Sequence, residues 1–140
     1  GRKKEIFKTS GGKYISPTLL ENEMKQSRFI EQILVIGEGQ KMPAAIIQPN
    51  FDFVKEWARR HDVHCGSSPE EMVVNEEVHK RILEEIEHGN QQFGKWETIK
   101  KFEMTPEAWT VDNDLLTPTF KPKREVILKR YKHLYDKIYT

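Results

Sequence analysis

At 140 residues the chain has room for about one domain with a single core. Charged residues reach 32%, yet the formal net charge is only +1, which excludes a global field drawing the protein to nucleic acid or to an anionic membrane. A single cysteine, Cys65, excludes an internal disulfide and favours a reducing compartment, and no apolar run approaches the ~20 residues that span a bilayer.

The opening "GRKKEIFKTS" carries positive charge but no apolar core behind it, so it is not a secretory signal. It also lacks a methionine, and the chain reads as a fragment of something longer. Glu5 to Thr9 is expected as a short strand, started by Lys4 and ending at the flexible pair Gly11-Gly12. Ser16-Pro17 reads as an N-cap with proline at the first helical position, and Leu20 and Met24 share one face of the helix behind it. Ile33 to Ile36 and Ala44 to Ile47 are two apolar runs around a glycine-containing turn, the pattern of a buried hairpin.

Asn50 is the expected cap of a helix with Phe53, Val54, Trp57 and Ala58 on one side, followed by a loop from His61 to Pro69. A longer helix then places Val74, Val78, Ile82 and Ile86 at spacings of four. Asn75 would cap it, Glu76 and Glu77 suit its positive end, and Gly89 would stop it. Ile99 to Met104 is a strand candidate. The last helix begins near Lys123 and aligns Ile127, Tyr131, Leu134 and Ile138. The fold class expected is α+β, a small sandwich of a short, mainly antiparallel sheet with helices packed on it.

Several stretches carry chemistry-bearing residues without a site. "RHDVHC", Arg60 to Cys65, holds two histidines, an aspartate and a thiol, but zinc needs a tetrahedral set and no second cluster supplies the rest. "GEGQK" has the glycines and lysine of a phosphate loop but lacks its Gly-Lys-Ser/Thr ending and precedes a strand, so it is a hairpin turn. The glutamates at 76, 77, 84, 85 and 87 form a solvated helix face. No metal site is expected.

Two basic clusters remain, Arg2-Lys3-Lys4 and Lys121 through Arg130. Each has a feature beyond charge. Gly11-Gly12 lets another molecule approach the backbone closely. Lys121 stands between Phe120 and Pro122, whose ring restricts the lysine to extended backbone angles, so its ammonium is presented to an anion from a restrained turn. A nucleic-acid-binding module built on these clusters is the competing reading; the balanced charge and dense glutamates argue against it.

"GRKKEIFKTSGGKYISP" followed by "LLENEM" resembles the signature that opens the C-terminal domain of adenylate-forming enzymes, and "LTPTFKPKREVILKRY" is similar to a late motif of the long-chain acyl-CoA synthetases among them. The two motifs bracket nearly the whole chain. The resemblance implies that residues 1–140 are the mobile C-terminal domain of a long-chain fatty acid–CoA ligase, inactive without its N-terminal AMP-binding domain. Such an enzyme joins a fatty acid to coenzyme A (CoA) in two steps, through an acyl-adenylate and pyrophosphate. Between the steps the C-terminal domain rotates and presents a second face to the same site.

By that resemblance Lys121 is the adenylation lysine, Lys4 the hinge and Arg2 a nucleotide-binding residue near the ribose. Gly11 and Gly12 line the CoA passage, and Glu21, at the helix start, is structural. ATP and Mg2+ would be held mainly by the N-terminal domain, with CoA as a substrate. The partners implied are that domain, fatty acid, ATP and CoA, with no nucleic acid. The location implied is cytoplasmic, with peripheral membrane contact of the full-length enzyme as a further expectation. An adenylating enzyme acting on another acid or on a carrier protein is the alternative. The superfamily usually has glycine where Phe120 stands, which leaves Lys121 and Lys123 both open for the lysine's place.

Overall fold

The computed structural model describes residues 5–140. The leading strand is shorter than expected: β1 (Phe7–Lys8) pairs antiparallel with β2 (Tyr14–Ile15), which no sequence pattern marked. Pro17 then opens α1 (Pro17–Met24), which buries Leu20, Glu21 and Met24. Ser16 stands at the cap position, but its side chain makes no capping hydrogen bond.

The two apolar runs form the antiparallel hairpin of β3 (Ile30–Ile36) and β4 (Ala44–Pro49), in the register Ile33↔Ile47 and Val35↔Ala45. Asn50 caps α2 (Phe51–Arg60) by accepting from the Phe53 N–H at 3.1 Å. After the loop, Ser68 caps the short α3 (Pro69–Met72). Asn75 caps α4 (Glu76–Asn90), accepting from the amides of Glu77 at 2.9 Å and Val78 at 3.1 Å. A single 3-10 turn, Lys95–Glu97, leads to β5 (Lys101–Met104).

β5 lies parallel to β4 on the far side from β3, giving the order β3-β4-β5. A parallel neighbour needs a long crossover, and α2 through α4 supply it. The main sheet is therefore mixed, while two of the three strand pairings among the described residues are antiparallel. The α+β expectation stands.

Three sequence expectations fail here. Val74 precedes α4 and is 79% exposed, because Asn75 takes the cap position after it. Gly89 does not stop α4; it lies buried inside it, where a Cβ would come within 2.5 Å of the Met24 sulfur of α1. The glycine is there for close helix approach. The last helix begins at Arg124, with Lys123 in the cap position, but it is two pieces: α5 (Arg124–Arg130) and α6 (Lys132–Tyr139), parted at Tyr131.

Period-two alternation in the central strands divides the core. Ile33, Val35, Ala45 and Ile47 face one layer, with α1, α2 and α4 packed on it. Leu34, Ile36, Ala44 and Ile46 face a second layer made of Trp109, Leu115, Leu116, α5 and α6. The result is a three-layer sandwich. No helix among the described residues is long and apolar enough to cross a membrane.

Candidate functional site: two loops and the clamp between layers

Arg2 and Lys4 lie outside the described residues. The other predicted residues sit on two separate loops, one rooted in each layer.

Lys121 belongs to a hairpin between Leu115 and Lys123. Thr117 N–H donates to the Lys121 carbonyl at 2.8 Å, Phe120 N–H to the Thr117 carbonyl at 2.7 Å, and Lys123 N–H to the Leu115 carbonyl at 2.9 Å. The Thr117 hydroxyl accepts from Lys121 N–H at 3.1 Å. This is the pattern of a three-residue hairpin loop, whose third residue takes left-handed backbone. That residue is Phe120, at φ 65° and 67% exposed.

Glycine suits such a position, so Phe120 holds a strained backbone of the kind that costs ~1–2 kcal/mol. Leu115 and Leu116 are buried in the second layer and anchor the loop from below. Asn113 supports it further, accepting from Thr110 N–H at 3.0 Å and donating to the Ala108 carbonyl at 2.8 Å.

The two candidate lysines differ. Lys123 is ion-paired with Asp114. Lys121 is exposed, and its ammonium has no hydrogen-bond or ion-pair partner among the described residues. A restrained turn carrying an unpartnered ammonium can meet an incoming anion without first breaking a contact. Elsewhere in the basic run, Arg124 and Arg130 are paired with carboxylates.

Gly11 and Gly12 form the tip of the β1–β2 hairpin. Thr9 N–H donates to the Lys13 carbonyl at 2.9 Å, and Gly12 N–H donates back to the Thr9 carbonyl at 2.9 Å. Gly12 has φ +82°, which a side chain would strain. Among the described residues nothing lies within 4 Å of where a Cβ would stand on either glycine. The hairpin leans on the β3–β4 turn through Ser10 N–H to the Gln40 carbonyl at 2.8 Å and Gly39 N–H to the Lys8 carbonyl at 2.9 Å. Phe7 and Ile15 tie it to the first layer. Its tip is bare backbone facing open space.

Sequence reasoning gave Arg124 no role of its own. The structure makes it a junction. Its guanidinium donates to Glu21 Oε2 at 3.1 Å, to Glu21 Oε1 at 3.3 Å, to the Val35 carbonyl at 2.9 Å and to Glu5 Oε2 at 2.9 Å. Glu21 also accepts from Val35 N–H at 2.7 Å, so the ion pair satisfies both polar groups of an edge-strand residue.

Burial pushes the Glu21 carboxyl above its ordinary value, against the pull of Arg124. Burial alone would lower the Arg124 pKa, but Glu21 and Glu5 outweigh it and raise it, so the guanidinium stays charged. The spacing of this cluster, 103 residues from Glu21 to Arg124, hid it from any local pattern. Beside it lies an open groove of about 910 Å3, lined by Phe7, Val35, Arg124, Leu128 and Tyr135 among others; neither Lys121 nor the two glycines line it. Among the described residues no group of three or more metal-ligating side chains converges.

Comparison with known proteins gives the family and the fold likeness. Residues 4–140 match the family described as the AMP-binding enzyme C-terminal domain. A long-chain-fatty-acid–CoA ligase of Mycobacterium tuberculosis is 30% identical over 140 residues, which is all of this chain and 23% of the relative. Long-chain-fatty-acid–CoA ligase 1 of Homo sapiens is 34% identical over 99% of this chain and 20% of its own length. The chain thus spans about a fifth of the curated relatives it matches.

Among solved structures, the A domain of a carboxylic acid reductase from Segniliparus rugosus, in complex with AMP and a co-purified carboxylic acid, aligns with a TM-score of 0.78 at 18% identity. That alignment covers 99% of this chain and 20% of that one. The anthranilate CoA ligase AuaEII aligns at 0.56 and 18% identity, over 93% and 20% respectively. At such identities the likeness is one of fold. Matched along nearly all its length, the chain belongs to the family of AMP-binding enzyme C-terminal domains.

Proposed function

We propose that the chain is the mobile C-terminal part of a long-chain fatty acid–CoA ligase, and that Lys121 is its adenylation lysine. The observation that carries this is the lysine hairpin: an ammonium without a partner among the described residues, on a tied turn, in a chain 30–35% identical to relatives named as long-chain-fatty-acid–CoA ligases. In the first step a fatty-acid carboxylate oxygen attacks the α-phosphorus of ATP, forming the acyl-adenylate and releasing pyrophosphate. Both reactants are anionic there, and a lysine point charge lowers their repulsion as they meet.

In the second step the CoA sulfur attacks the adenylate carbonyl, the thioester forms and AMP leaves. The bare tip at Gly11-Gly12 suits a narrow thiol-bearing arm passing close to the backbone. ATP and Mg2+ are assigned mainly to the remainder of the full-length enzyme. Lys4 as hinge and Arg2 as ribose contact belong to the same reading, as do a cytoplasmic location and peripheral membrane contact.

The test is made on the full-length protein with Lys121→Ala, timing the half-reactions separately. Adenylate formation is expected to fall by about 10²–10³-fold, in line with the loss of one transition-state donor, while thioester formation from supplied acyl-adenylate survives. Normal rates in both halves would remove Lys121 from the mechanism. A panel of acids, with CoA and a carrier protein as alternative acceptors, fixes chain length and acceptor.

A further inference from the structure

We propose that Arg124 is a positioning residue for Lys121, and that its pairing with Glu5 is a releasable arm linking the leading segment to the lysine hairpin. The inference rests on the reading of Lys121 above. Arg124 follows the hairpin's closing residue, Lys123, directly, and stands three positions after Lys121. That length of chain extends at most ~10 Å, and Pro122 removes part of its freedom. A shift of the guanidinium is therefore passed on to the lysine rather than absorbed.

The other end of the clamp is fixed. Glu21 is 7% exposed and belongs to α1, in the opposite helix layer, and Val35 is an edge-strand residue whose N–H and C=O are both engaged. The lysine hairpin is rooted in the second layer by Leu115 and Leu116. Arg124, directly behind the hairpin, reaches around the sheet edge and holds it against the first. The planar fork matters: three donor nitrogens address four acceptor atoms, which an ammonium on a flexible stem cannot copy.

The Glu5 arm has the opposite character. Its side chain is 65% exposed, in a non-regular segment two residues before β1. An exposed ion pair is weak and readily broken. Glu5 lies one residue beyond Lys4, so a turn of the backbone before it carries the carboxylate towards or away from Arg124. Pairing then reports the attitude of the leading segment to the hairpin that holds the lysine.

The experiment uses the full-length enzyme with Arg124→Lys, Glu5→Gln and, as control, Lys121→Ala. Each half-reaction is timed and thermal unfolding is recorded. Arg124→Lys is expected to slow adenylate formation about 10–100-fold, as misplacement of a catalytic group by an ångström does, with thioester formation from supplied acyl-adenylate within about twofold of wild type. Glu5→Gln, at an exposed site, is expected to leave the unfolding temperature unchanged and to slow adenylate formation a few-fold. Equal losses in both half-reactions that track a fall in unfolding temperature would make Arg124 a stabilising residue only and overturn the proposal, as would unchanged rates in both variants. If Lys121→Ala itself leaves adenylation intact, the reading of the lysine fails; if Lys121→Ala abolishes it and the clamp variants do not, only the positioning role fails.

Discussion

The two layers that cover the central sheet are built on different principles. The first, made by α1, α2 and α4, carries its buried ion pair at the sheet edge, at Glu21, and elsewhere packs by volume: Met24 fills the notch that Gly89 leaves. The second contains a buried polar chain. Gln48 accepts from Trp109 N–H at 2.9 Å, the Trp109 indole donates to the Tyr131 hydroxyl at 3.0 Å, and that hydroxyl donates to Glu107 at 2.7 Å. Glu107 is in turn paired with Arg130, whose hydrogen bond holds its carboxyl below the usual carboxylate range, while burial pushes the Tyr131 phenol up to about 12. An apolar layer tolerates rearrangement; a satisfied polar network fixes one arrangement. The loop that carries Lys121 is rooted in the second, and the loop that offers open backbone at Gly11-Gly12 in the first.

The sharpest way to break the comparison is to cut one strand on each face. Ile46 and Ile47 are neighbours in β4, both fully buried, pointing into opposite layers. Either change to alanine is expected to cost about 2–5 kcal/mol in chemical unfolding. Hydrogen exchange should separate them: Ile46→Ala should accelerate exchange at the Lys123 amide, which bonds to Leu115, beyond the global loss of stability, and Ile47→Ala should not. Equal acceleration would mean the layers are one cooperative unit.

Next in size is Gly89→Ala. Alanine favours a helix interior by about 1 kcal/mol, but here its methyl meets the sulfur and terminal methyl of Met24, which is 1% exposed and must turn aside within the core. Overpacking of this kind costs ~1–3 kcal/mol, so a net loss of about 1 kcal/mol is expected. A gain instead would show that Met24 rearranges freely and that the first layer is looser than its burial implies.

Gly89 also shows where sequence reading stops. Inside one helix a glycine near the end reads as a terminator, since its true neighbour is a methionine 65 residues earlier. The same limit hid the Glu21–Arg124 pair and the parallel placement of β5, both of which depend on long-range geometry. β2 was missed for another reason: Tyr14–Ile15 is too short to show alternation. What was legible was local. The runs of β3 and β4, the caps at Asn50 and Asn75, and the restrained turn at Lys121 each follow from residues within a few positions of one another.

A smaller effect is expected at the second layer's own strained point. Phe120→Gly relieves left-handed backbone worth ~1–2 kcal/mol, offset by the ~0.5–1 kcal/mol that glycine loses through its freer unfolded chain. With the ring 67% exposed, little burial is lost. Stability should rise by up to about 1 kcal/mol. A clear fall would mean that the ring packs on the hairpin after all.

Gly11→Ala should change stability least and discriminate best. Gly11, unlike Gly12, does not adopt positive φ, and no described residue lies within 4 Å of its missing Cβ. Alanine therefore fits the folded chain without strain, and restricting the unfolded chain adds at most ~1 kcal/mol. Any functional loss then comes from what the methyl meets outside this domain. In the full-length enzyme, thioester formation should slow while adenylate formation keeps its rate, the mirror image of Lys121→Ala. Were adenylation to slow instead, the bare tip would serve the same face as the lysine, and the division of labour between the two layers would collapse.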